Sequence, residues 1–206
     1  MEQRTDSWFA ARAGKVTASA IYKVMARTKT GWGADRANYM AQLVSERLTG
    51  RPADSFSNSA MQWGIDTEPQ ARAMYELETG QGVVECGFFD HPEIAMSGAS
   101  PDGLIGKNGL IEIKCPNTAT HIATLRGAEI EGKYIKQMQW QMACTGTDWC
   151  DFVSFDPRLP DEMQMHVRRI ERDDEMLREI GEHVTEFLAE VDATIADLTT
   201  RYRKAA

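Results

Sequence analysis

The sequence predicts a mixed α/β fold, and three observations carry that reading. Helix caps and stops punctuate the first eighty residues. Residues 83–115 change to short β-rich runs around an Asn-Gly turn. The last thirty residues carry a long amphipathic stripe. In order along the chain, residues 7–12 read as a short helix ended by Gly14, and Thr17 or Ser19 as the cap of a helix running to Met25. Residues 28–33 form a loop, and residues 35–48 a helix stopped by Gly50 and Pro52. Residues 57–79 are helical, with interruptions at Gly64 and Pro69.

The middle region supplies strands over 83–89, 94–99 and 103–105. Gly106-Lys107-Asn108-Gly109 then makes a turn in which Asn-Gly is the strong hairpin signal, and residues 110–115 return as a strand stopped by Pro116. Helices follow at 118–126 and 134–145, and strands at 150–155 and 163–170. A helix over 173–203 places Met176, Ile180, Val184, Phe187, Val191, Ile195 and Leu198 three or four residues apart, a stripe suited to packing on the rest of the domain. The expected organisation is one domain over 1–206. Residues 1–80 are its mainly helical part, 81–170 its sheet core and 171–206 its C-terminal helix.

Composition bounds the function classes. The chain has 206 residues, 42% hydrophobic and 26% charged, as in globular proteins. No apolar run approaches the roughly 18 residues that cross a bilayer, and the first residues lack the basic-then-apolar layout of a secretory leader. The expectation is a soluble, cytoplasmic protein without a membrane partner. The net charge of −8 argues against a nucleic-acid partner at first sight, because phosphate binding uses Lys and Arg. The charge is uneven, however. Residues 1–60 carry 9 basic and 5 acidic side chains, residues 61–160 carry 7 and 14, and residues 161–206 carry 7 and 12. Arg12, Lys15, Lys23, Arg27, Lys29 and Arg36 are therefore candidates for a phosphate-facing surface. The four cysteines (86, 115, 144, 150) form no Cys-x-x-Cys and read as reduced, buried thiols rather than a zinc site.

The chemistry-bearing stretch is Ser100-Pro101-Asp102-Gly103-Leu104 followed by Leu110-Ile111-Glu112-Ile113-Lys114-Cys115. Strand side chains alternate faces, so Glu112 and Lys114 share one face and Ile111, Ile113 and Cys115 take the other. Pairing across the turn brings Asp102 toward Glu112. Two adjacent carboxylates either share a proton or hold a cation. An all-oxygen donor set suits Mg²⁺ or Mn²⁺, and a neighbouring lysine can orient water or neutralise a phosphate. These are the parts of metal-assisted phosphodiester hydrolysis. The competing account is a surface strand with a Glu–Lys ion pair.

Ser-Pro-Asp-Gly-Leu with Leu-Ile-Glu-Ile-Lys-Cys-Pro resembles the PD-(D/E)XK nuclease core, and more narrowly the phage lambda exonuclease or viral-type alkaline exonuclease family. The likeness extends to residues 8–19, to Trp63-Gly64 with Glu68, to Tyr134-Ile135-Lys136-Gln137-Met138-Gln139, and to Phe155-Asp156-Pro157-Arg158. It implies a central mixed sheet flanked by helices, with residues 1–80 contacting DNA. It implies a Mg²⁺-dependent 5′-to-3′ exonuclease on duplex DNA ends, a ring-shaped homotrimer, and a single-strand annealing protein as partner in phage or prophage recombination.

Matched residue by residue, Asp102, Glu112 and the Ile113 carbonyl would bind metal, Glu68 would reach the metal from a helix, and Lys114 would activate the attacking water. Gln137 would lie near the scissile phosphate. Arg12, Ser19 and Ser100 would hold the 5′-phosphate. Met61 would stand where an apolar wedge splits the terminal base pairs, with core packing as the competing account. Gln141 lies one helical turn from Gln137, so either could face the site; polar padding is the other account of Gln141, which stays outside the catalytic set. A PD-(D/E)XK endonuclease and a catalytically silent DNA-binding recombination subunit are the alternatives.

Overall fold

The structure is a computed structural model that describes residues 2–53 and 58–202. The helix start expected at Ser57 and the helix end expected near Arg203 lie outside the described residues. The chain opens with α1 (Asp6–Arg12), where the Thr5 hydroxyl accepts from the Trp8 N–H as an N-cap. Next come β1 (Val16–Thr17), a 3₁₀ turn (Ala18–Ala20) and a single helical turn, α2 (Ile21–Val24). Neither Thr17 nor Ser19 supplies a capping side chain, contrary to expectation. Strand pairing of Thr17 with Gly98, and its N–H bond to the Tyr39 hydroxyl (3.2 Å), outcompete a longer helix.

The stretch expected as loop contains a small hairpin, β2 (Arg27–Thr28) and β3 (Gly31–Trp32). α3 (Ala34–Thr49) ends where Gly50 takes φ +67°, a left-handed cap that suits glycine. α4 (Ser59–Thr79) runs unbroken through both Gly64 and Pro69, a correction to the interrupted helix expected there. An interior proline costs a helix about 3 kcal/mol. Here Thr67, Ala71 and Tyr75 bury one side of α4 on both flanks of Pro69, and that packing outweighs the local cost.

The remaining strands are β4 (Val83–Val84), β5 (Phe89–Asp90), β6 (Ser97–Ala99), β7 (Gly103–Ile105), β8 (Gly109–Lys114), β9 (Trp149–Phe155) and β10 (Met165–Glu171). The remaining helices are α5 (Thr118–Leu125), α6 (Gly132–Thr145) and α7 (Asp174–Tyr202), and a short 3₁₀ turn covers Asp161–Met163. The main sheet is ordered β10-β9-β8-β7-β4. It is parallel only between β8 and β9, and α5 and α6 form the crossover between them. A smaller sheet is ordered β1-β6-β5.

Ile105, Ile111, Ile113, Val153 and Phe155 bury one face of the main sheet under Ala71 and Tyr75 of α4. Leu110, Cys150 and Phe152 pack the other face on Met138 and Met142 of α6. A third core joins α2, α3, α6 and α7, to which α7 contributes Ile180, Val184, Phe187 and Val191. The expected stripe of the last helix thus packs on the rest of the chain. Among the described residues, no helix is long and apolar enough to cross a membrane.

Candidate active site

The hairpin register places the site. Gly103 pairs with Ile111, so Asp102, the residue just before β7, stands opposite Glu112 as anticipated. Its Oδ2 accepts from the Ile113 N–H at 2.7 Å. On β8, Ile111 and Ile113 face the α4 core while Glu112 and Lys114 face α6. Glu112 is 1% exposed. Its Oε1 accepts from Lys114 Nζ and, at 2.7 Å, from Gln137 Nε2; its Oε2 accepts from Gln141 Nε2 at 2.6 Å.

The electrostatics follow from crowding. Burial and the neighbouring Glu112 carboxylate raise the Asp102 pKa, partly offset by Lys114. Burial alone would lower the Lys114 pKa, but Glu112 and Asp102 raise it above the usual lysine value. Burial, with Glu68 and Asp102 nearby, pushes the Cys115 thiol up to about 12, so it offers no thiolate. The four cysteines are free, as expected, but only Cys144 and Cys150 are buried, whereas Cys86 and Cys115 are half-buried.

Glu68 lies close enough to raise the Asp102 pKa, yet it is engaged elsewhere. Arg4 holds its Oε2 at 2.7 Å and Arg72 its Oε1 at 2.8 Å. Among the described residues no three His, Cys, Asp or Glu side chains are gathered as a metal cluster. Asp102 and Glu112 fit a hard divalent cation nonetheless. They are adjacent like charges on oxygen, and Mg²⁺ completes such sites with water.

The other expected residues fall into two groups. Arg12 and Ser100 meet: the guanidinium donates to Ser100 Oγ at 3.1 Å, beside the Trp8 indole N–H at 2.9 Å, and stacks 4.0 Å over the Trp8 ring. Desolvation lowers the Arg12 pKa to about 10, against opposing effects of Tyr39 and Glu46. Arg12, Lys15, Lys23 and Thr17 line a cavity of 410 Å³. Ser19 is exposed on its 3₁₀ turn, with its Oγ 3.5 Å from that of Thr17, and forms no hydrogen bond with Arg12. Met61 is 50% exposed in the first turn of α4, so it is not a core residue.

Two features were missed or only half seen in the sequence. Gln141 is fully buried against Glu112 rather than padding the helix surface. The available signal was its position one turn from Gln137. The matched blocks around Trp63, Pro116 and Asp156 also meet in space. The Arg158 guanidinium stacks 4.5 Å over Trp63, bonds both Asp156 oxygens and donates to the Pro116 carbonyl at 3.1 Å, bracing the end of β8.

A mixed sheet flanked by helices, with an Asp facing a Glu-x-Lys strand across a hairpin, is the PD-(D/E)XK nuclease fold. Within that class, residues 7–148 match the YqaJ-like viral recombinase domain. The chain belongs to that viral recombinase family, of the alkaline-exonuclease, lambda-exonuclease-like kind. It is 56% identical to an alkaline exonuclease (LHK-Exo) from Laribacter hongkongensis, with TM-score 0.89 over 96% of this chain and 97% of that one. A structure of LHK-Exo in complex with dAMP gives 57% identity at the same TM-score and coverage. A phage-related exonuclease from Haemophilus somnus 129PT, 19% identical over 89% of this chain and 96% of that one, shares the fold at TM-score 0.68. No curated protein matches the chain.

Proposed function

We propose that the protein is a Mg²⁺-dependent exonuclease, with Mn²⁺ able to substitute, that digests the 5′-ended strand of linear duplex DNA and leaves a 3′ overhang for strand annealing. The observation that carries this reading is the convergence of Asp102, Glu112 and Lys114 at one end of β8. Asp102, Glu112 and the Ile113 carbonyl would hold the cation, which supplies Lewis acidity at the phosphate. Lys114, on the face of Glu112, orients the attacking water. Gln137, which donates to Glu112, would lie near the scissile phosphate.

Arg12 offers a planar fork to a terminal phosphate, with Ser100 beside it; Ser19 would join them on the phosphate. Exposed Met61 would press between terminal bases. Glu68 would join the metal site once released from Arg4 and Arg72. The complex of the 57%-identical LHK-Exo with dAMP, a deoxynucleoside monophosphate, supports DNA as the substrate class. The reading extends to a ring-shaped homotrimer around DNA, an annealing-protein partner, and the cytoplasm of a bacterial host.

Digestion of 5′-phosphorylated linear duplex beside covalently closed circular duplex, with and without Mg²⁺, tests this. Mononucleotide release from the linear substrate alone, dependent on Mg²⁺, is the expected result. Cleavage of the closed circle would make the protein an endonuclease, and release from neither would make it a silent DNA-binding subunit. A solution mass decides the trimer.

A further inference from the structure

Residues 3 and 4 are tied to the body of the protein by contacts with segments far along the chain. Gln3 Nε2 donates to the Cys86 carbonyl at 3.0 Å and to the Pro101 carbonyl at 2.7 Å. Pro101 directly precedes Asp102, so the tie lies beside the candidate metal site. Arg4 follows with φ +65°, a left-handed conformation that a residue with a Cβ adopts at a cost. Arg4 Nη2 meets Glu68 Oε2 at 2.7 Å, and Thr5 then caps α1. Strained residues persist where the contacts around them over-determine the backbone, and they cluster at functional positions.

Glu68 has two guanidinium partners of different kinds. Arg72 lies one turn further along α4, is 12% exposed and also holds Glu85 Oε1 at 2.5 Å. Arg4 comes from 64 positions away and is 44% exposed, so it is the partner that leaves more readily. Between them the two take both oxygens of Glu68. Glu68 is near enough to act on the charge of Asp102, yet it is not gathered with Asp102 and Glu112 into a cluster. An oxygen paired to a guanidinium has part of its charge neutralised, so a cation gains less from it.

We propose that Arg4 is a positioning residue that competes with the divalent cation for Glu68: the ion pair keeps Glu68 out of the Asp102–Glu112 pair until a cation draws it in. This rests on the metal-dependent reading above. The test is calorimetric titration of the full chain with MgCl₂, without DNA, in a cycle of wild type, Arg4→Gln, Glu68→Gln and the double variant. Arg4→Gln tightens Mg²⁺ binding about threefold, the scale of a half-exposed ion pair. Glu68→Gln weakens it. The double variant binds as Glu68→Gln alone, because the carboxylate that Arg4 holds is gone. A guanidinium that merely repels the cation would instead give the same gain in both backgrounds. Should Arg4→Gln not fold, Arg4→Gly, which suits the left-handed backbone and lacks the guanidinium, gives the same readout.

An unchanged Mg²⁺ dissociation constant in Arg4→Gln or in Glu68→Gln, or an equal gain from Arg4→Gln in the Glu68→Gln background, overturns the proposal. Wild type that binds no Mg²⁺ and releases no nucleotide from linear duplex overturns the metal-dependent reading itself. Wild type that digests duplex with Mg²⁺ but shows no coupling between positions 4 and 68 overturns only the role of Arg4.

Discussion

The two faces of β8 lie within one six-residue strand and are built on opposite principles. Toward α4, Ile111 and Ile113 sit among Ala71, Tyr75, Val153 and Phe155, a mainly apolar layer whose margin holds buried Asp151, bonded to the Tyr75 hydroxyl and to Arg169. Toward α6, Glu112 and Lys114 sit among amides, and each oxygen of the buried carboxylate has a donor. A strand can hold a costly buried carboxylate on one side when the other side supplies the burial energy, about 1.5–3 kcal/mol per large aliphatic side chain. The difference divides one strand, residue by residue, between apolar packing and polar contacts.

The largest effect is expected on the polar face. Glu112→Gln or Lys114→Ala should lower exonuclease rate on linear duplex by at least about 10²-fold, the scale of losing one group that stabilises developing charge, with little change in melting temperature. Comparable activity in either variant would break the division. On the apolar face, Ile111→Ala should cost about 2–5 kcal/mol of stability by opening a cavity, read by denaturant unfolding, while the folded fraction keeps its turnover. A loss of turnover without a loss of stability would show that the faces are coupled.

A third variant samples a place outside both faces. Arg12→Ala should reduce the preference for 5′-phosphorylated over 5′-hydroxyl ends by about tenfold, as expected for one charge-assisted contact of about 1.5 kcal/mol, and leave stability near wild type. An unchanged ratio of rates removes Arg12 from phosphate binding.

The smallest effect concerns the brace at the end of the strand. Burial would raise the Asp156 pKa, but hydrogen bonds from Arg158 and Thr118 hold it at about 2, below the ordinary 3.8. A depressed carboxylate contributes stability that is present above its unfolded pKa and is lost as pH falls through the folded one. Wild-type stability should therefore decline between about pH 4 and pH 2, and Asp156→Asn should flatten that part of the profile. Identical slopes would show that the brace does not titrate as a unit.

The alternation that separates Ile111 and Ile113 from Glu112 and Lys114 was legible because strand periodicity is local and strict. The hairpin that sets Asp102 opposite Glu112 was legible from the glycine-rich turn, although Gly106 rather than Asn108-Gly109 takes the left-handed conformation and Gly109 already pairs with Ile105 in β8; the glycine stop of α3 was legible from Gly50 for the same local reason. The family-matched pairing of Arg12 with Ser100 also came together, 3.1 Å apart. The continuity of α4 across Pro69 was not legible. Proline's cost is written locally, whereas the compensating contacts of Ala71 and Tyr75 come from a sheet distant in the chain. The 3₁₀ turn at 18–20 was hidden likewise by the partner strand of Thr17.

The sequence by itself determined the α/β class, the order of most elements and the identity of the Asp–Glu–Lys group, since each depends on residue type at short spacing. Only the tertiary structure decided that Gln141 turns inward onto Glu112, that Arg4 and Arg72 engage Glu68, and that Arg158 ties Trp63 and Pro116 to the end of β8. Those contacts join residues between 4 and 95 positions apart or choose between equivalent faces of a helix. Burial and hydrogen-bond satisfaction across the whole fold select them, and no local pattern records that selection.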